Sequence, residues 1–541
     1  MLLFLKLFLF SLGLLFQAQP VDLIVYNATI YTVDAGFTKA QAMAVKDGKI
    51  VATGTTASIR SAYVAIESMD AKGKFIFPGF IDAHAHFVNY GLGLGAASLV
   101  GTTSWDAILK NLQRFAQQHT EGWLIGRGWD QNDWAEKEFP TKSDLDRLFP
   151  DRPVFLERVD GHAAIANSKA LSVAGVTAGT QLSGGTVEEK GGVLTGILID
   201  NAVNLVASKI PAPTAAETAK ALQQAQQACF AVGLTTVDDC GLDYKTVLFI
   251  DSLQKRGDLT MRIYAMLSDA KENYAFAKQR GKIKTDYLNV RSFKVYADGA
   301  LGSRGAALLQ PYSDRADWKG FLIRSEKHYD SVANIISQHD FKMCTHAIGD
   351  SGNRTILNIY GKYLKGKNDK RWRIEHSQVV NEKDFKLFGQ YSIIPSVQPT
   401  HGTSDMYWAG DRLGPKRVKG AYAFKQLMKQ NGWIPLGTDF PVEDISPFKT
   451  FLAAVFRKDA KGYPAKGYQT ENALTREEAI RGMTIWAAKS NFEENEKGSL
   501  EKGKFADFII LDKDLMKVSE TEVLKTNVIM TFVGGNKVFG K

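Results

Sequence analysis

Apolar residues in the central part of the chain form short strand-like runs that alternate with helical patterns. The clearest helical pattern covers residues 215–232 and ends at Gly233, and a second covers residues 474–491. Strands that alternate with helices indicate parallel βα units. Eight strand-like runs with intervening helices predict an α/β fold, a (β/α)8 TIM barrel. The eight runs are residues 75–86, 234–238, 261–267, 290–299, 342–347, 372–376, 392–398 and 433–439.

The two ends of the chain have a different pattern, with short alternating strands and few helical stretches. Asp47-Gly48 separates two of the N-terminal strands and is a hairpin signal. Neither end has enough strands to form a stable β domain by itself. We therefore predict that residues 20–77 and 497–541 together form a small composite β-sandwich domain, with the barrel of residues 78–496 between them.

One connection in the predicted barrel is too long for a single βα unit. About 145 residues separate the first strand-like run from the second, whereas most connections are shorter than about 15 residues. The loop that follows a barrel strand lies on the catalytic face. The sequence therefore predicts an inserted subdomain at about residues 100–210, after the first barrel strand and over the mouth of the barrel.

The N-terminus is typical of a signal peptide. Lys6 is the only charged residue in the first 16 positions, and it precedes an apolar run, residues 7–16, that is shorter than a membrane span. The cleavage motif has its small residue at Ala18 but not at Phe16, so an uncleaved anchor stays open. We expect residues 1–19 to be a signal peptide and the protein to be exported, to a periplasm or to the outside.

The composition argues against several other classes of protein. Of the 541 residues, 45% are hydrophobic and 23% are charged, which is ordinary for a globular protein. The formal net charge is +9, but Lys and Arg are scattered, so nucleic-acid binding is not expected. Apart from the N-terminal run, no stable membrane span is expected. The three cysteines form no C-x-x-C pair; we expect buried free thiols, and a Cys229–Cys240 disulfide stays open.

Histidines and a carboxylate end several of the predicted barrel strands. His84 and His86 project from the same face because side chains alternate along a strand, and His346, His376 and Asp439 end three later strands. Catalytic groups of a TIM barrel lie at these strand ends. Four imidazoles and a carboxylate suit one or two divalent cations, with Zn²⁺ as the favoured ion.

Lys294 ends the fourth strand and offers a bridge between two cations. Burial favours the neutral form of a lysine, and a neutral amine can react with CO₂ to give an anionic carbamate. A carboxylated Lys294 could therefore link two metal ions. The alternative is an ordinary ion pair between Lys294 and Asp298 or another carboxylate.

The segments around these residues carry recognisable motifs: PGFIDAHAH at 78–86, KVYADG at 294–299, HAIGD at 346–350, RIEHSQ at 373–378, GTD at 437–439 and GSLEKGKFADF at 498–508. In combination they resemble the amidohydrolase superfamily of metal-dependent hydrolases, and within it amidohydrolase family 3 with its N-substituted formamide deformylases. The resemblance covers nearly the whole chain after the signal peptide.

This resemblance implies an enzyme that hydrolyses carbon–nitrogen bonds other than peptide bonds, with a linear amide as the favoured substrate. The metal would activate water and polarise the carbonyl group. Asp439 would accept a proton from the attacking water and deliver it to the leaving nitrogen. The implied ligands are His84, His86 and Asp439 for one ion, His346 and His376 for the other, and carboxylated Lys294 as the bridge.

Four further residues are candidates for contact with the substrate. His162, Arg127 and Trp129 lie in the predicted insertion, where each can either line the pocket or pack the lid. Asp298 follows Lys294 at the end of the fourth strand. The remaining histidines are expected at the surface; they are His119, His328, His339 and His401.

Two other functions fit the same sequence. The same groups would attack an ester, a lactone or a cyclic amide, because each presents a polarised carbonyl. A binding protein on an inactive barrel is the second alternative, but such a protein has no need of a complete set of ligands. The expected partner is a small molecule, and the sequence leaves the assembly state open, including a homo-oligomer.

Overall fold

A computed structural model describes residues 18–161, 163–182 and 185–540. Most of the predicted signal peptide and the candidate residue His162 lie outside the described residues. Among the described residues, no helix combines the length and the apolar composition needed to cross a membrane.

The N-terminal part of the chain forms two groups of strands. The strands β5-β4-β1-β6 make a four-stranded sheet, in which β1 pairs antiparallel with β4 and parallel with β6. Asp47 and Gly48 connect β4 to β5 and both have positive φ angles, 50° and 73°, as the predicted hairpin turn requires. The elements of this part are β1 (Gln19–Tyr26), β2 (Thr29–Tyr31), β3 (Lys39–Ala40), β4 (Ala42–Lys46), β5 (Lys49–Gly54), α1 (Thr56–Ala62), β6 (Tyr63–Asp70) and β7 (Phe75–Pro78).

A separate subdomain follows the first barrel strand, β8 (Phe80–Ala85), and the short helix α2 (Phe87–Gly93). Its six strands form one sheet in the order β13-β14-β12-β11-β10-β9, with apolar cores of its own. The fold therefore contains the predicted insertion. Its elements are β9 (Ala97–Ser98), α3 (Trp105–Gln118), β10 (Leu124–Trp129), α4 (Ser143–Leu148), β11 (Val154–Arg158), β12 (Ala163–Ala166), α5 (Ser168–Ala174), β13 (Gly185–Lys190), β14 (Val193–Asp200) and α6 (Val203–Ala207).

The barrel follows with parallel strands in the order β8-β15-β16-β18-β19-β20-β21. Its elements are α7 (Ala215–Ala231), β15 (Leu234–Leu242), α8 (Tyr244–Lys255), β16 (Arg262–Ser268), α9 (Lys271–Arg280), β17 (Ile283–Lys284), β18 (Leu288–Tyr296), α10 (Glu326–Gln338), β19 (Lys342–Ala347), α11 (Asp350–Leu364), β20 (Arg373–His376), α12 (Phe385–Gln390), β21 (Ile394–Ser396), α13 (Pro399–Ser404), α14 (Ala409–Arg417), α15 (Phe424–Asn431), α16 (Pro447–Phe456), α17 (Arg476–Gly482) and α18 (Ile485–Ser490).

The eighth position of the barrel is filled by an extended segment that is not a regular strand. Leu436 forms a parallel bridge with Val397, and its carbonyl accepts a hydrogen bond from the Ala83 amide at 3.1 Å, which closes the ring. Pro435 has no N–H for a ladder bond. A Cβ at Gly437 would lie 2.6 Å from the His84 amide nitrogen, so the close approach requires glycine. The structure confirms the predicted (β/α)8 barrel.

Strands from both ends of the chain meet in a second sheet of the small β domain. The last elements are β22 (Phe508–Leu511), α19 (Glu520–Val523), β23 (Val528–Val533) and β24 (Asn536–Gly540). In the sheet β24-β23-β22-β7-β2-β3, the C-terminal β22 pairs antiparallel with the N-terminal β7. Ile30, Ile76 and Phe508 share one buried core there. The composite β domain of the predicted fold is therefore present.

Candidate metal centre

The histidines at the ends of the barrel strands surround Asp439. Asp439 Oδ1 lies 3.5 Å from His84 Nε2 and 3.3 Å from His86 Nε2. The Asp439 amide donates to the His84 carbonyl at 2.7 Å, and the amide of Thr438 donates to the buried carboxylate of Asp82 at 3.0 Å. These backbone contacts hold the closing segment of the barrel against β8 and fix Asp439 beside the His84–His86 pair.

The other predicted residues lie in the same cluster. Lys294 Nζ is 3.0 Å from His84 Nε2. The ring of His376 has its centroid 4.7 Å from that of His84 and 4.6 Å from that of His346. His376 and Asp439 have left-handed backbone angles, φ 72° and φ 64°, which cost a non-glycine residue on the order of 1–3 kcal/mol and are commonest at functional sites. The structure thus brings all six predicted residues together.

His401 is a seventh member of this cluster, and the expected surface position is wrong for it. It lies in α13, and its side chain is only 13% exposed. Its Nε2 atom lies 3.6 Å from Asp439 Oδ2, and its ring is stacked on that of His376 with a 10° angle and 5.8 Å between centroids. The signal in the sequence is that His401 comes three residues after the predicted strand 392–398, on the catalytic face.

Two buried side chains orient the histidine rings. His84 Nδ1 donates to Glu375 Oε2 at 2.6 Å, and His376 Nδ1 donates to Gln398 Oε1 at 2.7 Å. An imidazole that donates from Nδ1 keeps the lone pair on Nε2 free to bind a metal. Glu375 is itself held by Arg373, which donates to both carboxylate oxygens at 2.7 and 2.9 Å. These orienting residues were absent from the sequence-based prediction.

The electrostatics favour neutral histidines around an ionised aspartate. Burial, together with the charge of Lys294, lowers the pKa of His84 to about 4, and burial also holds the pKa values of His346 and His376 well below the ordinary value. Burial would raise the pKa of Asp439, but the adjacent imidazoles outweigh it and keep that pKa well below its ordinary value. Neutral imidazole and carboxylate are the forms that bind a metal.

Lys294 departs from the expectation of a neutral amine. Burial lowers the pKa of its ammonium group, but the acidic groups around it, chiefly Cys240 and Tyr296 and then Glu375 and Asp439, outweigh burial and raise that pKa above the ordinary value. The direction of this shift agrees with the alternative expectation, in which Lys294 pairs with a carboxylate other than Asp298. These acidic groups favour the ammonium form of Lys294.

Asp298 is also not the partner of Lys294. Its buried carboxylate accepts hydrogen bonds from the amides of Ala307, Ile348 and Gly349 at 2.8–2.9 Å. These bonds tie together the loops that follow β18 and β19. The hydrogen bonds of Asp298 therefore hold these loops in place. Its Oδ1 atom also lies near the centre, 3.8 Å from His346 Nε2.

The candidate residues of the insertion have different environments. Trp129 is fully buried in the core of the insertion, and its indole N–H donates to the Leu156 carbonyl at 2.9 Å, so its ring is a packing group there. Arg127 is 28% exposed, and its Nε atom lies 3.9 Å from Glu157 Oε2. His162 lies outside the described residues.

Several buried atoms of the centre have no hydrogen-bond partner among the described residues: His346 Nε2, His401 Nε2 and Asp439 Oδ1. A buried polar atom without a partner costs free energy, and metal binding would give such atoms a partner. Two sets of donor atoms are compact enough for metal binding, namely His84, His86 and Asp439, and His376, His401 and Asp439. Imidazole and carboxylate donors suit a divalent metal such as Zn²⁺. The residues present therefore fit a metal.

Known proteins share this arrangement of sequence and fold. The sequence pattern of the amidohydrolase family matches residues 67–539. The chain is 31% identical over 538 residues to the protein LONG AFTER FAR-RED 3 of Arabidopsis thaliana, covering 96% of this chain and 91% of the relative. It is 26% identical over 545 residues to the N-substituted formamide deformylase of Arthrobacter pascens, covering 96% and 98%. The solved structure of an uncharacterized metal-dependent hydrolase from Pyrococcus horikoshii OT3 superposes with a TM-score of 0.78 at 27% identity, covering 92% of this chain and 99% of that one.

Proposed function

The chain belongs to the amidohydrolase family and is a metal-dependent hydrolase, and from this premise we propose that it cleaves the carbon–nitrogen bond of a small linear amide with Zn²⁺ as its metal. The observation that supports this most directly is the set of imidazole and carboxylate donors that meet around Asp439 at the catalytic end of the barrel. Zinc is chosen because three nitrogen or oxygen donors that leave one position open are typical of catalytic zinc sites.

The proposed ligands are the predicted histidines and aspartate: His84, His86, Asp439, His346 and His376. Lys294 is a further predicted ligand if it is carboxylated. The metal, when bound, supplies a Lewis acid that polarises the substrate carbonyl and makes water more acidic. The protein holds the ligands in the orientation that metal binding requires. Glu375 and Gln398 hold two imidazoles in the tautomer that presents Nε2 to the centre, so that little reorganisation is needed when the ligands engage.

Asp439 is the proposed acid–base group. It is 5% exposed and ionised, and Oδ1 has no hydrogen-bond partner among the described residues, so it can accept a proton from an attacking water. The same oxygen then delivers that proton to the nitrogen that leaves as an amine. The second role follows from the first, because the attack leaves Asp439 protonated and the departing nitrogen needs a proton.

Lys294 is the proposed site of a carbamate. Lys294 Nζ lies 3.0 Å from His84 Nε2, so a cation held by His84 would add positive charge beside the ammonium group, and such charge lowers the pKa of an ammonium group. The neutral amine then adds to CO₂, forming an N–C bond and releasing one proton. The resulting anion offsets the positive charge of the centre.

The choice of a linear amide rests on the deformylase relative, whose printed name gives an N-substituted formamide as its substrate. We propose that the substrate is of this class, with a formyl or small acyl group on nitrogen. We also propose that the protein is exported, because residues 1–16 combine one lysine with an apolar run of signal-peptide length.

The test is elemental analysis of the purified protein together with a screen of N-formyl amines, N-acyl amines, cyclic amides, esters and lactones. We expect one or two equivalents of zinc and turnover confined to linear amides. A chelated sample should lose activity and regain it with Zn²⁺. Turnover of only esters, lactones or cyclic amides would overturn the choice of substrate, and turnover that survives complete metal removal would overturn the metal-dependent mechanism.

A further inference from the structure

The two carboxylate oxygens of Asp439 face different groups of histidines. Oδ1 lies within 3.5 Å of the Nε2 atoms of His84 and His86, whereas Oδ2 lies 3.6 Å from the Nε2 atom of His401. A carboxylate can bind two cations, one through each oxygen, and imidazole nitrogens near each oxygen can bind the same ions. Asp439 is thus placed as a bridge between two halves of the centre.

His401 is held in this position by the short stretch that follows β21. Pro399 is the first residue of α13, where its missing N–H costs nothing, and the His401 amide donates to the Gln398 carbonyl at 3.2 Å. The side chain of Gln398 accepts the hydrogen bond from His376 Nδ1. One stretch of four residues therefore orients the His376 ring and places the His401 ring parallel to it.

We propose that His401 is a metal ligand, and that His376, His401 and Asp439 Oδ2 form a second three-donor group that shares Asp439 with the His84–His86 group. Two observations carry this assignment independently. The donor atoms of the three residues lie within 4.8 Å of one another, and His401 Nε2 is buried with no hydrogen-bond partner among the described residues. The family-based assignment of ligands contains no histidine at this position, so His401 is an addition to that set.

The assignment rests on the metal dependence of the proposed function and extends it to a second ion. Two cations bound to the same carboxylate would repel each other, and the negative charge of that carboxylate would reduce the repulsion. Asp439 would then be a ligand of both ions. Loss of His401 would weaken metal binding by the His376–His401 group more than metal binding by the His84–His86 group. This difference is measurable without any substrate.

The experiment is a metal titration of the full chain after chelation, with Zn²⁺ stoichiometry from elemental analysis and affinities from competition with a chromophoric chelator. The variants are His401→Gln, which keeps a polar side chain of similar reach without the imidazole, and His339→Gln, a control at an exposed histidine. Circular dichroism verifies that both fold. The Co²⁺ absorption spectrum of each protein reports the number and type of donors around the ion.

Wild type and His339→Gln should bind two ions. His401→Gln should bind one, or bind the second more than about a hundredfold more weakly, with an altered Co²⁺ spectrum, because a ligand matters at least as much as the residues that orient one. A wild-type chain that takes up a single ion would overturn the inference. So would a His401→Gln variant with unchanged stoichiometry, affinity and spectrum, which would make His401 a contact for substrate instead. If the stoichiometry behaves as expected but no amide is hydrolysed, the inference stands and the proposed function fails.

Discussion

His84 Nδ1 lies 2.6 Å from Glu375 Oε2, and both side chains are completely buried. Burial would raise the pKa of Glu375, but the charge and hydrogen bonds of Arg373, together with His84, keep it well below the ordinary value. Arg373 also contacts Asp238 at 2.8 Å, so alternating charges run through the barrel interior to the imidazole at the metal centre. The ionised carboxylate of Glu375 fixes the tautomer of His84 and makes its Nε2 a stronger ligand.

Glu375→Gln should therefore weaken metal binding. The amide removes the negative charge and, with its NH₂ group turned towards His84, opposes donation from Nδ1. We expect a 10- to 100-fold loss of metal affinity, in the range typical of residues that orient a ligand. Equilibrium dialysis against a metal buffer measures it. The matched control is Asp317→Asn at a carboxylate 79% exposed, which should leave affinity unchanged. Equal affinities in all three proteins would show that Glu375 does not act on the metal through His84.

The barrel was predictable because strand-like runs alternate with helical patterns along the sequence. Runs 234–238 and 342–347 recur as β15 and β19, the former extended to Leu242. The run at 433–439 is equally apolar but carries Pro435 and Gly437, which prevent a regular ladder while still closing the ring. The helical pattern 474–491 is broken at Thr484, whose φ of −140° separates α17 from α18.

The site was predictable where a residue ends a strand, and not where it depends on contacts between strands. His84 and His376 could be predicted because strand ends meet on one face of a barrel. Glu375 directly precedes His376 in β20, and only the folded barrel places its carboxylate against His84 of another strand. His401 lies in a short helix beyond its strand, where sequence spacing gives no direction for the ring.

Arg262 and Asp507 form a buried bidentate ion pair between the barrel and the β domain. Arg262 Nε and Nη2 donate to the two oxygens of Asp507 at 2.6 and 2.9 Å. Asp507→Asn leaves the arginine charge buried with a neutral partner, and we expect a loss of about 3–5 kcal/mol of unfolding free energy. Urea unfolding measures this loss. The control Asp317→Asn, at an exposed carboxylate, should change the unfolding free energy by less than about 1 kcal/mol. A similarly small effect of Asp507→Asn would show that the Arg262–Asp507 pair contributes little to stability.

Glu493 should make the protein lose stability in acid. Burial would raise its pKa, but Lys497 and Lys284, whose ammonium groups lie 2.9 and 2.8 Å away, outweigh burial and lower it from 4.5 to about 2. Above pH 4.5 the Glu493 carboxylate is ionised in both the folded and the unfolded chain, and its stabilisation of the folded chain is complete. Between about pH 4.5 and 2 the unfolded chain takes up a proton that the folded chain does not, so about 3 kcal/mol is lost.

The measurement for Glu493 is urea unfolding of metal-free protein from pH 6 to 2, for wild type, Glu493→Gln and an exposed control, Glu136→Gln. The wild-type advantage over Glu493→Gln should shrink as the pH falls through this window, whereas Glu136→Gln should run parallel to wild type. A difference between wild type and Glu493→Gln that stays constant from pH 6 to 2 would show that the pKa of Glu493 is not lowered in the folded state.

An exported protein should lose its signal peptide, so the mature chain should start after it. Expressed in a bacterial host with its full sequence, the protein should be found outside the cytoplasm with a mature start between residues 18 and 21. Intact-mass measurement identifies that start. Deletion of residues 2–17 should keep the protein in the cytoplasm. A cytoplasmic full-length chain that begins at Met1 would contradict the prediction.

Asp439→Asn separates the proton-transfer role of Asp439 from its role in holding the fold and the metal. The asparagine amide has nearly the same shape and can still coordinate weakly through its oxygen, but it cannot accept a proton at neutral pH. Loss of a positioned acid–base group typically costs on the order of a hundredfold to ten-thousandfold in rate. The histidines around Asp439 remain, so the variant should fold and keep at least one metal ion.

The measurement is turnover beside metal stoichiometry for Asp439→Asn and for Asp444→Asn, a control five residues away whose carboxylate is 45% exposed. We expect Asp444→Asn to match wild type in both quantities, because its partner Lys449 lies outside the centre. Loss of all metal in Asp439→Asn would make Asp439 chiefly a ligand. Near wild-type turnover with metal bound would instead mean that another group transfers the proton, and His401, whose Nε2 atom lies 3.6 Å from Asp439 Oδ2, would be the first residue to test.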